Sequence, residues 1–599
     1  MCFFMYPCNV NKSVSNKCCI LVFKFCILCI FVTMYIDVVP NRNSPPAILL
    51  RKAYRQDGKV KKKTIANLSD WPEELVENFR KILKGAIAIH PDDLLTIESS
   101  AAHGGVEAVL GTIKNIGLDY LISSKPCRES KLVTGMIAAQ LLQPSSKLGH
   151  IRLFPTSTLA DELGIADADE DGLYSAMDWL YHRKERIQKK LAKKNINKGE
   201  HALYDITSSY YEGSTCSLAE FGYNRDGKKG KKIIVYGMLT NARGCPVAVS
   251  VYPGNTSDSI TVPDQVEKLR KDFELDQVVL VGDRGMLTQT QIENIRQYPG
   301  IGWITAMGYQ AVRDLSLSED LQLSLFDKSN IAEFTSEQYP GERLIACHNP
   351  FMEEKRKHKR NSLLEATEKD LEKISKEVSR RKNKPLTSQQ IGIKVGKVIN
   401  KHKMGKHFEI AIRDGYFNYT RNQASIDQET GLDGIYIIRT NQPVEHLSKE
   451  DVVRNYKNLS QVEQLFRSIK GMDVLVRPIR HRAEQRVKAH IFICMLAYYV
   501  EWHMRKALAP MLFDDEELEE NKKTQDAVLP AVVSDGAKQK KSKRKTTDGL
   551  QVHSFRTLLA NLNTRTRNLC RFQNATLYRT TELNPLQRKA FELLKIRTQ

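Results

Sequence analysis

From Cys18 to Ile36 the chain is almost continuously apolar, interrupted mainly by Lys24, and from Met34 it changes character to short apolar stretches separated by Asn, Pro and Gly. That second pattern, lasting to about Leu68, predicts a small hairpin. A helix is predicted next, with Asp70 as its N-cap, Pro72 and Glu73 in its first turn, and Leu75, Phe79, Ile82 and Leu83 as its apolar stripe. Residues 100–198 keep a helical texture and end in the basic run HRKERIQKKLAKK, which suits a solvated helix face and a DNA-contacting face equally well. Near His201 the texture turns to strands: ALYDITSSYY, KKIIVYGMLT, PVAVSVY and DQVVLVGD are short β-prone runs punctuated by turn residues. Helical stretches near 262–273 and 288–296 follow, then the strand GIGWITAM. Three successive strands and then alternating helix and strand predict a mixed α/β sheet.

A long insertion, residues 310–430, interrupts that alternation with a highly charged helical section from Met352 to Lys384. The strand signal returns at GIYIIRT, residues 434–440. One helix is predicted from about Lys449 to Lys470 and another, apolar, from Lys488 to Trp502, with the basic turn RPIRHRAEQR between them. Residues 514–548 place an acidic run, DDEELEE, before a basic one, KQKKSKRK, with few apolar anchors, the composition of a flexible linker. No internal repeat is visible.

At 599 residues the chain exceeds one ordinary domain. The segments expected are an apolar stretch at 1–33, a hairpin and helical region at 34–198, the first part of a core at 199–309, an insertion domain at 310–433, the second part of the core at 434–510, a charged linker at 511–550 and a C-terminal segment at 551–599. Lys and Arg number 91 against 70 Asp and Glu, a formal charge of +21 spread along the chain. A polyanionic partner follows, because basic surfaces gain affinity for phosphate backbones by releasing counterions. Of twelve cysteines, six lie before residue 34 and the others are scattered without metal-ligand spacing, as in a reduced, cytoplasmic protein. Cys26 and Cys29 form a C-x-x-C inside the apolar run with no second pair. That run approaches the ~20 residues that span a bilayer. The change of texture at Met34 favours a start there, with residues 1–33 as translated upstream sequence and no membrane partner.

Candidate chemistry rests on three carboxylates. Asp283 follows the apolar run VVLV between Gly282 and Gly285, at the end of a buried strand, where α/β sheets expose reactive groups. Asp205 lies within the first strand of the same sheet, a costly position for a charge unless a cation or hydrogen bonds compensate it. In YKNLSQVEQLFRSIK, Tyr456, Glu463 and Lys470 recur every seven residues and so share one helical face, with Arg467 close by. Leu459 and Phe466 recur near that face and predict that it is partly buried. Three carboxylates converging at one sheet edge would repel by roughly 4 kcal/mol per close pair at an intermediate dielectric, so the set calls for divalent cations, and hard oxygen ligands favour magnesium or manganese.

The motifs YDITSSYYEG, GNTSD, VGDRGM and Y-x6-E-x6-K together resemble those of the DDE transposases of bacterial insertion sequences, in the IS-four superfamily and nearest to its branch numbered sixteen thirty-four. LAEFGYNRDGKKGKKIIVYGMLT, HRAEQRVKAHIFICMLAYYVEWH and the MYIDVVPNRNSPPAILLR opening extend the resemblance over roughly Met34 to His503. It implies a ribonuclease-H-like mixed-sheet catalytic core carrying an insertion domain, with a helical N-terminal DNA-binding region. It makes Asp205, Asp283 and Glu463 the catalytic, metal-holding triad for two ions, and Tyr456, Arg467 and Lys470 the contacts to the DNA backbone. The separations of 78 and 180 residues within the triad suit an insertion before the glutamate. One departure stands out: Leu459 occupies the position where the family signature has Arg.

The implied activity is cleavage of DNA at terminal inverted repeats and joining to target DNA by two-metal phosphoryl transfer, by a homodimer associated with the nucleoid. Two other readings remain open on the residues alone, a ribonuclease-H-like nuclease that never joins and a catalytically inactive DNA-binding descendant.

Overall fold

A computed structural model describes residues 34–42, 44–86, 95–318, 320–326, 329–471, 473–572 and 575–598. The apolar run before Met34 and its C-x-x-C lie outside them. The chain divides into two units, the first made of residues up to Ser99 with Leu569–Arg579 and the second of Ser100–Asn568 with Thr580–Gln599.

In the first unit the predicted hairpin is a three-stranded antiparallel sheet, β1 (Met34–Val39), β2 (Ala47–Gln56) and β3 (Lys59–Asn67), in that order. The β2–β3 turn is Asp57-Gly58, both at positive φ, a pair suited to a two-residue hairpin turn. Helix α1 (Glu73–Leu83) starts from Pro72 rather than from Asp70 and has no side-chain cap. Val76 is its buried residue, against Leu50 and Leu68, whereas Leu75 faces outward.

The division falls within β4 (Thr96–Ala102), whose last residues open the second unit. Helices α2 (Gly104–Asn115), α3 (Arg128–Leu142), α4 (Lys147–Leu153), α5 (Glu170–Tyr181) and α6 (Lys184–Asn195) form the expected helical stretch. Strands β5 (His201–Tyr210), β6 (Ile233–Asn241) and β7 (Pro246–Pro253) come next, then β8 (Val278–Val281), β9 (Ile301–Ala306), β10 (Ile331–Phe334) and β11 (Arg343–His348). After β11 the chain leaves the sheet as α7 (Pro350–Arg380), α8 (Ser388–His402) and the hairpin β12 (Phe408–Arg413) and β13 (Tyr416–Arg421), and returns at β14 (Ile435–Thr440).

The eight-stranded sheet runs β10-β11-β14-β9-β8-β5-β6-β7. β5, β6 and β7 are antiparallel, β8 and β9 run parallel to β5, and β14, β11 and β10 alternate onto the far edge. Residues 310–348, read as insertion, therefore supply two strands of the main sheet. The part with a core of its own is narrower: Leu364, Leu371, Ile391, Val395, Phe408, Phe417 and Ile426 pack together.

Beyond β14 the predicted helix from Lys449 to Lys470 is two helices, α9 (Lys449–Lys457) and α10 (Leu459–Lys470), meeting at Asn458. α10 lies against β5. α11 (Glu484–Leu508) is apolar on nearly all sides because it is buried on nearly all sides, packing on α3, α5 and β7. Among the described residues no helix is long and apolar enough to cross a membrane, and Cys127, Cys216, Cys245, Cys347 and Cys494 are free thiols.

The segment 511–550 corrects the linker expectation. It contains α12 (Leu518–Thr524) and α13 (Asp535–Lys543) and buries Ala527 and Val528. Its backbone carbonyls take up cations of the core: Arg454 donates to those of Lys522, Lys523 and Gln525, and Lys457 to those of Val528 and Leu529. Counting apolar residues could not reveal this, because main-chain carbonyls carry no sequence signal.

Candidate active site

β5 is buried along most of its length, and Asp205 interrupts it as a partly buried carboxylate whose Oδ1 accepts the Ile206 amide at 2.7 Å. β8 runs beside it in parallel, with Leu203 opposite Val281 as the last pair. Two residues further along each chain, on the same face because side chains alternate with period two, stand Asp205 and Asp283. Asp283 lies in the turn after β8, its Oδ1 accepting the Gly285 amide at 2.7 Å. Gly282 and Gly285 flank it in this turn, as the sequence had placed them.

Glu463 enters from above on α10. That helix buries Val462, Leu465, Phe466 and Ile469, leaving Glu463 on the opposite, open side with its side chain 61% exposed. The carboxylate face is thus less buried than Leu459 and Phe466 had suggested. All three carboxylates line one cavity of about 450 Å³, with Arg284, Asn349, Tyr456, Lys457 and Leu459 among its other walls.

They act on one another. Asp205 is pushed up to about 7, first by burial and then by the charges of Asp283 and Glu463, against the Ile206 amide and Arg225, which pull it down. Tyr456 is pushed up to about 12, again by burial first and then by Asp283, so its phenol keeps its proton at neutral pH. Among the described residues no three His, Cys, Asp or Glu side chains stand close enough together to hold a metal ion as they are. The donor set nevertheless fits a hard divalent cation: three carboxylates share one cavity, and burial, with the neighbouring carboxylates, makes Asp205 hard to ionise, a cost that a bound cation would offset.

The other predicted contacts divide. Tyr456 shares the cavity with Glu463 even though it sits on a separate helix. Arg467 is exposed, 3.5 Å from Glu463 through its Nη2. Lys470 is not in the cavity: its Nζ donates to Asp226 Oδ1 at 3.0 Å, and Arg477 donates to the same oxygen. Asp226 lies in the β5–β6 connection, its side chain 1% exposed, and its Oδ2 accepts the Tyr210 amide. A period of seven put Lys470 near the face of Glu463, but a buried aspartate from another element claims its amine.

Arg284, Lys457 and Asn349 were missed. Arg284 carried a signal, its adjacency to Asp283. Lys457 and Asn349 had none, since both reach the cavity wall through carbonyls of the supposed linker, Asn349 Nδ2 donating to that of Val528 at 3.2 Å.

Asp205 within β5 and Asp283 just past the end of the parallel strand β8, with Glu463 from a helix laid over them, line one cavity on a mixed α/β sheet. The chain belongs to the DDE transposases, in their IS1634 branch: residues 196–500 match the family described as "Transposase DDE domain" and residues 36–93 match "IS1634 family transposase, N-terminal domain". The first match spans all three carboxylates, and DNA is the substrate that membership implies. A solved structure described as "Cryo-EM structure of piggyBac transposase synaptic complex with hairpin DNA (SNHP)" aligns with a TM-score of 0.32 at 10% identity, over 77% of this chain and 76% of that one. A likeness so loose supports no comparison of site or assembly. No curated protein matches the chain.

Proposed function

We propose that the protein cuts DNA at the terminal inverted repeats of its own insertion sequence and joins the ends to target DNA, with Asp205, Asp283 and Glu463 as its catalytic residues. The observation that carries this reading is the single cavity that the three carboxylates line. The core is read as ribonuclease-H-like because β7-β6-β5-β8-β9 sets three antiparallel strands beside two that run parallel to the first.

The triad would hold two magnesium or manganese ions, which when bound supply activation of an attacking water or 3′-hydroxyl and stabilisation of the leaving oxygen. The chain's own groups do the rest. Asp205 gives up its proton more readily once positive charge enters the cavity, because its high pKa reflects burial and carboxylate repulsion. Tyr456 remains a phenol and offers an O–H to a phosphate oxygen, and Arg467 offers a guanidinium at the rim. Lys470 acts at one remove, pinning the end of α10 to Asp226. A homodimer is the natural assembly, since one site per chain must serve two ends related as inverted repeats.

Asp205→Ala, Asp283→Ala and Glu463→Ala should each abolish magnesium-dependent cleavage of an end-containing duplex while leaving duplex binding intact. Near-normal cleavage by any one variant would remove that residue from the triad.

A further inference from the structure

The basic turn RPIRHRAEQR has no part in the carboxylate site, yet it walls a second cavity of about 570 Å³ together with Pro144, the Ser145-Ser146-Lys147 segment and Tyr174. Its lining carries Lys147, Arg477, Arg480, Arg482 and Arg486 and, among the described residues, no carboxylate. Three of those cations have acidic partners outside the lining: Arg477 on Asp226, Arg480 on Glu212 and Arg486 on Asp178. Two do not. Arg482 is exposed and makes no ion pair among the described residues. Lys147 is 3% exposed and its ammonium has no hydrogen-bond partner among the described residues.

A buried ammonium with nothing to donate to is among the most costly arrangements a fold can keep. Its neighbours do not relieve it. His490 is buried and His481 half-buried, with ring centroids 5.0 Å apart, and both rings of this pair are held far below the usual imidazole range, first by desolvation. Burial also brings Lys147 down to about 8, which leaves it charged at neutral pH. What the wall lacks is an anion with several acceptor oxygens. A phosphodiester supplies one, bearing a single negative charge and facing guanidiniums suited to planar recognition of phosphate.

The position favours a DNA backbone as its source. The Ile479 carbonyl accepts the Glu212 amide at 2.8 Å, and Ile479 bridges Tyr211, so the basic turn lies at the far end of the strand that carries Asp205. Six residues of strand span roughly 20 Å at about 3.3 Å each, or roughly six nucleotides at about 3.4 Å per step. We infer that this cavity is a phosphate seat for the bound duplex, with Lys147 and Arg482 gripping a backbone phosphodiester about six base pairs from the scissile bond. The inference rests on the transposase reading and adds a second, non-catalytic grip on the same DNA.

The test uses the full chain, a duplex bearing the element's terminal sequence, and Lys147→Met and Arg482→Ala. Each variant should bind the duplex about tenfold more weakly than the parent, as expected for one charge-assisted contact, and its plot of log affinity against log salt should flatten by about 0.9. Lys147→Met should melt no lower than the parent, because it removes an unpartnered buried charge. If Lys147→Met does not fold, Arg482→Ala carries the test alone, since that side chain is exposed. Parental affinity and salt slope in the folded variants would overturn the inference while leaving the proposed function standing. Failure of the parent itself to bind or cut the duplex would sink that function instead. A separate arm adds inorganic phosphate: stabilisation of the parent but not of Lys147→Met, with duplex affinity the same in both, would make the seat one for free phosphate and overturn its assignment to DNA.

Discussion

Replacing Asp226 by Asn tests whether the buried ion cluster beneath α10 is what holds the glutamate helix in place. The substitution keeps the shape and an acceptor for the Tyr210 amide but removes the charge shared by Lys470 and Arg477. Removing one partner of a buried pair costs about 3–5 kcal/mol, because the other charge is left uncompensated. Here the lower end applies: Arg477 is 31% exposed and can turn to water, whereas Lys470, 11% exposed, cannot. About 3 kcal/mol corresponds to roughly a hundredfold change in local opening. Hydrogen–deuterium exchange read by mass spectrometry should therefore show peptides across Leu459–Arg477 exchanging roughly a hundred times faster, with cleavage falling because Glu463 rides on the same helix.

The effect has a pH signature. Burial already holds Lys470 below its ordinary value of 10.5, and Asp226 opposes that lowering. Without Asp226 the folded-state pKa drops further. A base depressed in this way contributes stability above its unfolded pKa that is lost as pH falls through the folded one. The deficit of Asp226→Asn should thus be largest near neutrality and narrow as pH rises towards 10. Asp226→Asn combined with Lys470→Met should recover much of the protection. Unchanged exchange in the single variant, or a double variant no better protected than the single one, would refute the argument.

Two further outcomes follow from the cavity walls. Leu459→Arg places a guanidinium on the wall, at the position where the family signature has Arg, and should tighten duplex binding up to about tenfold with a steeper salt dependence; titrations at several salt concentrations would show an unaltered slope if the side chain never meets phosphate. Lys457→Met removes two donors from the Val528 and Leu529 carbonyls, partly offset by relief of the burial that lowers this amine, for a net loss of about 1–2 kcal/mol. Limited proteolysis should then open the stretch 522–532 first, and unchanged cutting there would mean that the segment is held by its own packing.

Much of this protein was legible along the chain because the relevant signals are local. The strands around VVLV and ALYDITSSYY declared themselves by apolar runs between turn residues, and Asp205 and Asp283 stood out as charges where burial was expected. Alternation alone determines which face each of those aspartates takes once the strands pair. Pairing itself is non-local, and so the register that sets Leu203 opposite Val281, and with it Asp205 beside Asp283, belongs to the tertiary structure. The same limit explains the errors. A sevenfold period placed Lys470 with Glu463 but could not know that Asp226, distant in sequence, would take its amine. Charge composition made residues 514–548 look like a linker, because what holds them is hydrogen bonding from Arg454, Lys457 and Asn349 to main-chain carbonyls, which every sequence possesses equally. The sequence by itself determined which elements form and which residue types could do the chemistry; which of those residues meet, and which are already taken by a partner, was decided only when distant segments closed on one another.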